Sequence, residues 1–109
     1  MDKEMMKGSI DMLLLSLLTN QDLYGYEMTQ KLHEFSEESY LMSEGTLYPA
    51  LKRIERKEWV TSYWSQHGST RRKYYHLSDK GEKELERKRQ EWQSLNNLLD
   101  RINEGASYE

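Results

Sequence analysis

Residues 43–77 read SEGTLYPALKRIERKEWVTSYWSQHGSTRRKYYHL, and two changes of pattern inside this stretch decide the fold. Leu47, Leu51 and Ile54 stand at i, i+4 and i+7, one face of a helix, and Ser43 before them is a good N-cap. Pro49 leaves the start of that helix open, because a proline costs least in the first turn and bends a helix beyond it. From Trp59 to Gln66 the composition turns aromatic and β-branched (Trp59, Val60, Thr61, Tyr63, Trp64), and it does so again from Lys73 to Leu77. Both segments predict strands. The polar run from Gln66 to Thr70 contains a glycine and has the size of a loop joining antiparallel strands, and Arg71 and Arg72 follow at once. A helix is therefore expected to lead into a hairpin with a basic shoulder.

Upstream, Ile10, Leu13, Leu14, Leu17 and Leu18 share one helical face and predict a helix over about 9–19. Asn20 to Asp22 form a short connection, and Met28, Leu32 and Phe35 predict a second helix over about 24–36. Downstream, Ser78 caps a long, highly charged helix that ends in Trp92, Leu95, Leu99 and Ile102 at 3, 4, 3 spacing, a seam suited to a partner helix. Such a helix over 78–103 is about 39 Å long at 1.5 Å per residue, too long to pack wholly on a small domain. The expected fold is mainly α with a small β-hairpin (α+β). Residues 1–77 form a winged helix-turn-helix, 78–104 a dimerisation helix packed with the first helix, and 105–109 a flexible tail.

A chain of 109 residues is one domain with a modest core. It has no cysteine, so neither a disulfide framework nor cysteine-held zinc is expected, which fits a reducing cytoplasm. The apolar run from Met12 to Leu18 is far below the roughly 20 residues of a membrane span. The N-terminus lacks the basic flank and small-residue cleavage site of a secretory signal. The formal net charge of −3 is unevenly spread: Lys52 to Lys73 carries +5 and the rest of the chain −8. A segregated basic segment in an acidic chain suits a defined contact face for nucleic acid.

The order of three helices and a hairpin, with basic residues on the third helix and in the hairpin, is that of a winged helix-turn-helix. The major groove of DNA admits one α-helix, and the apolar side of the third helix leaves Ser43, Thr46, Tyr48, Lys52 and Arg53 to turn outward. Lys52, Arg53 and Arg56 supply charge for phosphates, and Arg71, Arg72 and Lys73 bring the hairpin to a neighbouring backbone or groove. A blander alternative stands beside this: a solvated helix end, and arginines paired across strands with acids. Glu44 and Glu55 either tune specificity or face away.

Tyr24-Gly25-Tyr26-Glu27, Gly45-Thr46-Leu47-Tyr48-Pro49-Ala50-Leu51, Arg71-Arg72-Lys73-Tyr74-Tyr75 and Ser78-Asp79-Lys80-Gly81 together carry a family likeness. Over about residues 6–102 the sequence resembles the PadR family of bacterial transcriptional regulators, in its short subfamily with a single C-terminal dimerisation helix. The resemblance implies a homodimeric repressor on double-stranded DNA that binds a pseudo-palindromic operator. It also implies release when a small molecule binds or the dimer geometry changes. It puts Ser43, Thr46, Tyr48 and Lys52 on the recognition helix, Arg71, Arg72 and Lys73 on the wing, and Tyr24 where relatives touch the backbone. Two departures stand out. Glu58 replaces a glycine common after the third helix, so a different helix ending is expected. Ser69 and Thr70 replace glycine or proline before the two arginines.

Two readings of Trp92 stand. One is a dimer-core anchor, together with Leu13, Leu17, Leu95, Leu99 and Ile102. The other, implied by the resemblance, is a platform for a planar hydrophobic effector, with Met12, Ser16 and Asn96 as neighbours. His33, His67 and His76 have no helical metal spacing, so no metal site is expected, nor any cofactor. No phosphate-binding glycine loop or nucleophile motif is present, so no enzyme and no catalytic residue are expected. The remaining alternative is a protein-interaction adaptor that uses the winged helix as a scaffold, without specific DNA binding.

Overall fold

A computed structural model describes residues 6–107. The elements run α1 (Ile10–Leu17), β1 (Leu23–Tyr24), α2 (Gly25–Phe35), α3 (Glu44–Arg56), β2 (Val60–His67), β3 (Thr70–Leu77) and α4 (Asp79–Ser107). The strands form one antiparallel sheet in the order β1-β3-β2. The two residues of β1 add a third strand to the expected hairpin, with Leu23 opposite Tyr75 and Tyr24 opposite Tyr74.

The core lies where α1, α2 and α3 meet the base of the hairpin. Leu14, Leu15, Leu23, Met28, Leu47, Leu51, Ile54 and Val60 are all but sealed from water. The expected apolar face of α1 is rotated: Leu15 is fully buried, and Leu13 and Leu17 only pack against the core from its edge. Burying one large aliphatic side chain is worth about 1.5–3 kcal/mol, so these eight positions dominate the stability of a small domain.

The ends of α3 are closed at both sides. Ser43 accepts a hydrogen bond from the Thr46 amide at 3.3 Å, so the cap is Ser43 and Pro49 lies inside the helix. At the other end the Trp59 amide donates to the Ile54 carbonyl at 3.0 Å and the Glu58 amide to that of Glu55 at 2.9 Å, the paired bonds of a Schellman ending. Glu58 takes φ +64° there, so the ending is the one a glycine would make, contrary to the expectation raised by its loss. The hairpin is also tighter than expected. Gly68, at φ +62°, and Ser69 alone join strands that run to His67 and from Thr70, so Arg71 and Arg72 lie within β3.

Ser78 ties the last helix to this corner. Its hydroxyl donates to the Glu58 carbonyl at 2.6 Å and accepts from the Gly81 amide at 3.0 Å. Helix α4 then packs against α1, with Leu85 buried. It continues for 29 residues, about 44 Å at 1.5 Å per residue, and gives the molecule a longest dimension of 66 Å. Gly105 to Ser107 are helical, where a frayed tail was expected; Tyr108 and Glu109 lie outside the described residues.

Candidate nucleic-acid interface

Helix α3 turns Leu47, Ala50, Leu51 and Ile54 into the core and leaves Ser43, Thr46, Tyr48 and Lys52 exposed. That polar edge follows from the same 3.6-residue period that buries the other side. Tyr48 leans over the start of α2: a Cβ placed on Gly25 would sit 2.9 Å from its hydroxyl oxygen. Gly25 is therefore the residue that lets the Tyr48 ring pass.

Between α3 and the hairpin lies a cleft of about 400 Å³ that gathers Tyr24, Tyr48, Lys52, Arg72 and Lys73, all expected from sequence to act together. They come from three elements, β1, α3 and β3, and the β1–β3 pairing sets Tyr24 beside the two wing residues. The Arg72 guanidinium stacks on the Tyr24 ring at 4.6 Å, and Tyr24 meets Tyr74 edge-on at 5.5 Å. A stacked guanidinium is held in place while its in-plane N–H groups stay free to donate. Lys73 is less free, with its ammonium 3.8 Å from Glu55, whose other oxygen accepts from Ser62 at 2.5 Å. Glu55 thus faces the cleft as a tie between α3 and the hairpin. Glu44, in the first turn of α3, is exposed.

Arg53 does not turn toward this cleft. Its guanidinium pairs with Asp11 at 2.5 Å, bracing α3 against α1, and that hydrogen bond raises the Arg53 pKa further. Arg71 is exposed on β3 and stacks on the Trp64 indole at 4.6 Å. Trp64 also lines the cleft, a position missed in the sequence, where it read only as a strand residue. Its signal was the alternation Val60, Ser62, Trp64, which puts the indole on the α3 side of the sheet, beyond the reach of the core.

On the opposite face of the hairpin, Asp22 accepts from the Tyr63 hydroxyl at 2.5 Å and lies 2.7 Å from His76 Nδ1. Burial pushes the Asp22 carboxyl up, but the bonds to Tyr63 and His76 and the His76 charge outweigh it and leave it below its ordinary value. The Asp22 hydrogen bond, with its charge, pushes the Tyr63 phenol up to about 12. Tyr74 stacks on Tyr63 at 5.7 Å and shares a hydrogen bond with His67 at 2.9 Å.

Between α1, α2 and α4, Met12, Leu13, Ser16, Leu32, Phe35 and Trp92 line an apolar cavity of about 370 Å³. Three of the four residues expected to hold an effector meet there; Asn96 is exposed on α4 and outside the lining. Beyond Trp92, α4 leaves Leu95, Leu98, Leu99 and Ile102 each about half exposed, a strip that includes the unanticipated Leu98. Among the described residues no helix is long and apolar enough to cross a membrane.

Residues 14–87 match the transcriptional regulator PadR-like family. A transcriptional regulator from Clostridium thermocellum superposes with a TM-score of 0.83 at 31% identity, covering 91% of this chain and 97% of that one. A PadR family regulator from Clostridium difficile gives 0.76 at 41% identity over 87% and 98% of the two chains. Bacillus subtilis PadR, solved in complex with operator DNA, gives 0.66 at 27% identity over 74% of this chain and 46% of its own. These neighbours are transcriptional regulators and not enzymes, and this chain shares their winged-helix architecture. This chain belongs to the PadR-like family of transcriptional regulators.

Proposed function

We propose that this protein is a cytoplasmic homodimeric repressor that reads a pseudo-palindromic operator with α3 and is released by a planar hydrophobic molecule bound beside Trp92. The observation that carries the DNA reading is the cleft that joins Tyr24, Tyr48, Lys52 and Arg72 beside the exposed edge of α3. A helix in the major groove and a hairpin over the adjoining minor groove are separated by one sugar-phosphate strand, and the cleft lies where that strand runs. Lys52 and Arg72 hold the phosphates, Tyr24 and Tyr48 add hydroxyl donors, and Ser43 and Thr46 approach base edges. Arg71 and Lys73 extend the contact along the wing. The operator complex of Bacillus subtilis PadR supports this use of the fold.

Dimerisation rests on the half-exposed strip from Trp92 to Ile102, with Leu13 and Leu17 at its α1 side. An isolated helix carrying so much apolar surface calls for a partner, and a second copy offers the same seam. The cavity beside Trp92 is apolar and large enough for a small planar molecule, and it adjoins the seam, so an occupant alters the angle between the two DNA-reading halves.

Charge reversal tests the DNA reading. Lys52→Glu and Arg72→Glu are each expected to abolish binding to genomic DNA fragments that the wild type selects, with helix content unchanged by circular dichroism. Undiminished binding by both variants contradicts the reading and favours a protein-interaction adaptor. For the effector, planar hydrophobic dyes are expected to quench tryptophan emission in the wild type and not in Trp92→Ala; equal quenching removes Trp92 from the site.

A further inference from the structure

We infer that Trp64 is a positioning residue for DNA binding, holding the Arg71 guanidinium ready for a backbone phosphate at the wing. The inference rests on the DNA-binding reading above and adds to it a residue that the family motifs leave aside.

The indole of Trp64 is 55% exposed, an apolar plane left in water although the core lies on the same side of the sheet. Its register is opposite Lys73, four residues along β2 from the buried Val60, so it sits past the core on the groove-facing side. It contributes nothing to the core there, and yet it lines the same cleft as Lys52 and Arg72. What it does touch is Arg71, whose guanidinium carbon lies 4.6 Å from the ring centroid.

Two of the other cations near α3 show why that matters. Arg53 is held by Asp11 and Lys73 by Glu55, so an incoming phosphate must compete with a carboxylate for each. Among the described residues Arg71 has no carboxylate partner, and its neighbour across the ladder is the neutral Gln66. A ring face orients a guanidinium without using its N–H donors, so Arg71 keeps its full charge and its planar donor fork for a ligand. Arg72 on Tyr24 repeats the device one residue along the strand. The ordering entropy of a long side chain is then met by Trp64 before the phosphate arrives.

Phosphate contacts do not depend on base sequence, so the probe is a 30-base-pair duplex of arbitrary sequence, titrated across a salt series with wild type, Trp64→Ala, Trp64→Phe, Arg71→Ala and the double alanine variant. Thermal melting confirms that each variant is folded. Trp64→Ala is expected to weaken binding roughly fivefold to tenfold at the wild-type salt slope, because Arg71 still neutralises its phosphate, whereas Arg71→Ala lowers the slope by about 0.9 per protomer. Trp64→Phe keeps a ring face and is expected to stay within about threefold of wild type. The double variant is expected to bind no more weakly than Arg71→Ala alone. Trp64→Ala with the wild-type affinity, or a double variant whose loss is the product of the two single losses, overturns the inference. A wild type that shows no salt-dependent binding overturns the DNA-binding reading itself, a result readily told apart from the other two.

Discussion

The carbonyl oxygen of Trp59 lies 2.0 Å from where a Cβ on residue 81 would be, so α4 can cross the base of the hairpin only because residue 81 is glycine. The Ser78 amide donates to that same carbonyl at 3.0 Å, which pins the crossing from both sides. Gly81→Ala therefore forces α4 away from β2. Overpacking against backbone has no flexible side chain to yield, and a loss of about 2–3 kcal/mol follows. Melting is expected to fall by about 10 °C or more. A melting temperature unchanged within about 2 °C would show that α4 can seat elsewhere.

Glu58 pays a conformational cost at φ +64° to complete the end of α3. Relief of left-handed strain is worth about 1–2 kcal/mol, offset by about 0.5–1 kcal/mol for the greater freedom of glycine in the unfolded chain. Glu58→Gly is expected to stabilise the fold by about 0.5–1 kcal/mol in urea titration, and Glu58→Ala to give no such gain. Destabilisation by the glycine would mean that the glutamate side chain makes a contact worth more than the strain.

The tie between Asp22 and Tyr63 has a pH window. The Asp22 carboxyl is depressed, so its contribution is full above the ordinary aspartate value and is lost as pH falls through its folded value. The Tyr63 phenol is raised to about 12, so its contribution is full below the ordinary tyrosine value and disappears as pH climbs to about 12. The stability difference between wild type and Tyr63→Phe is expected to be level from about pH 5 to 9 and to shrink at both extremes. A difference that ignores pH at both ends would contradict the hydrogen bond.

Arg53 and Asp11 separate bracing from binding. With the Arg53 side chain 42% exposed, the pair is worth at most about 1 kcal/mol after solvent screening. Arg53→Ala is expected to lower stability by that order and to leave the salt slope of DNA binding unchanged. A slope lowered by about 0.9 per protomer would show that Arg53 leaves Asp11 for a phosphate.

The elements most legible in the sequence are those set by local periodicity: the apolar side of α3, its Ser43 cap, and the hairpin. What escaped depends on partners distant in the chain. Leu23 and Tyr24 read as the approach to a helix, and they become a strand only because β3 offers its free edge. Arg71 and Arg72 lack β-branched or aromatic character, and β3 nevertheless runs through them because Gly68 and Ser69 close the turn so tightly. Glu58 adopts glycine's conformation where the Ser78 hydroxyl holds its carbonyl and the Trp59 amide closes the helix end. The residue types of the cleft were readable, whereas the pairing of Lys73 with Glu55 there, and the diversion of Arg53 from it to Asp11, required the packed fold.

The most direct test of the regulator reading is a titration of the purified protein with a duplex selected from genomic fragments, against a scrambled duplex, over a salt series with the stoichiometry determined. A dimeric operator reader is expected to bind with two protomers per site and a preference of at least about 10³-fold at physiological salt. The two recognition helices are then spaced about 34–36 Å apart, one turn of DNA. Binding that ignores sequence and vanishes with modest salt would contradict it.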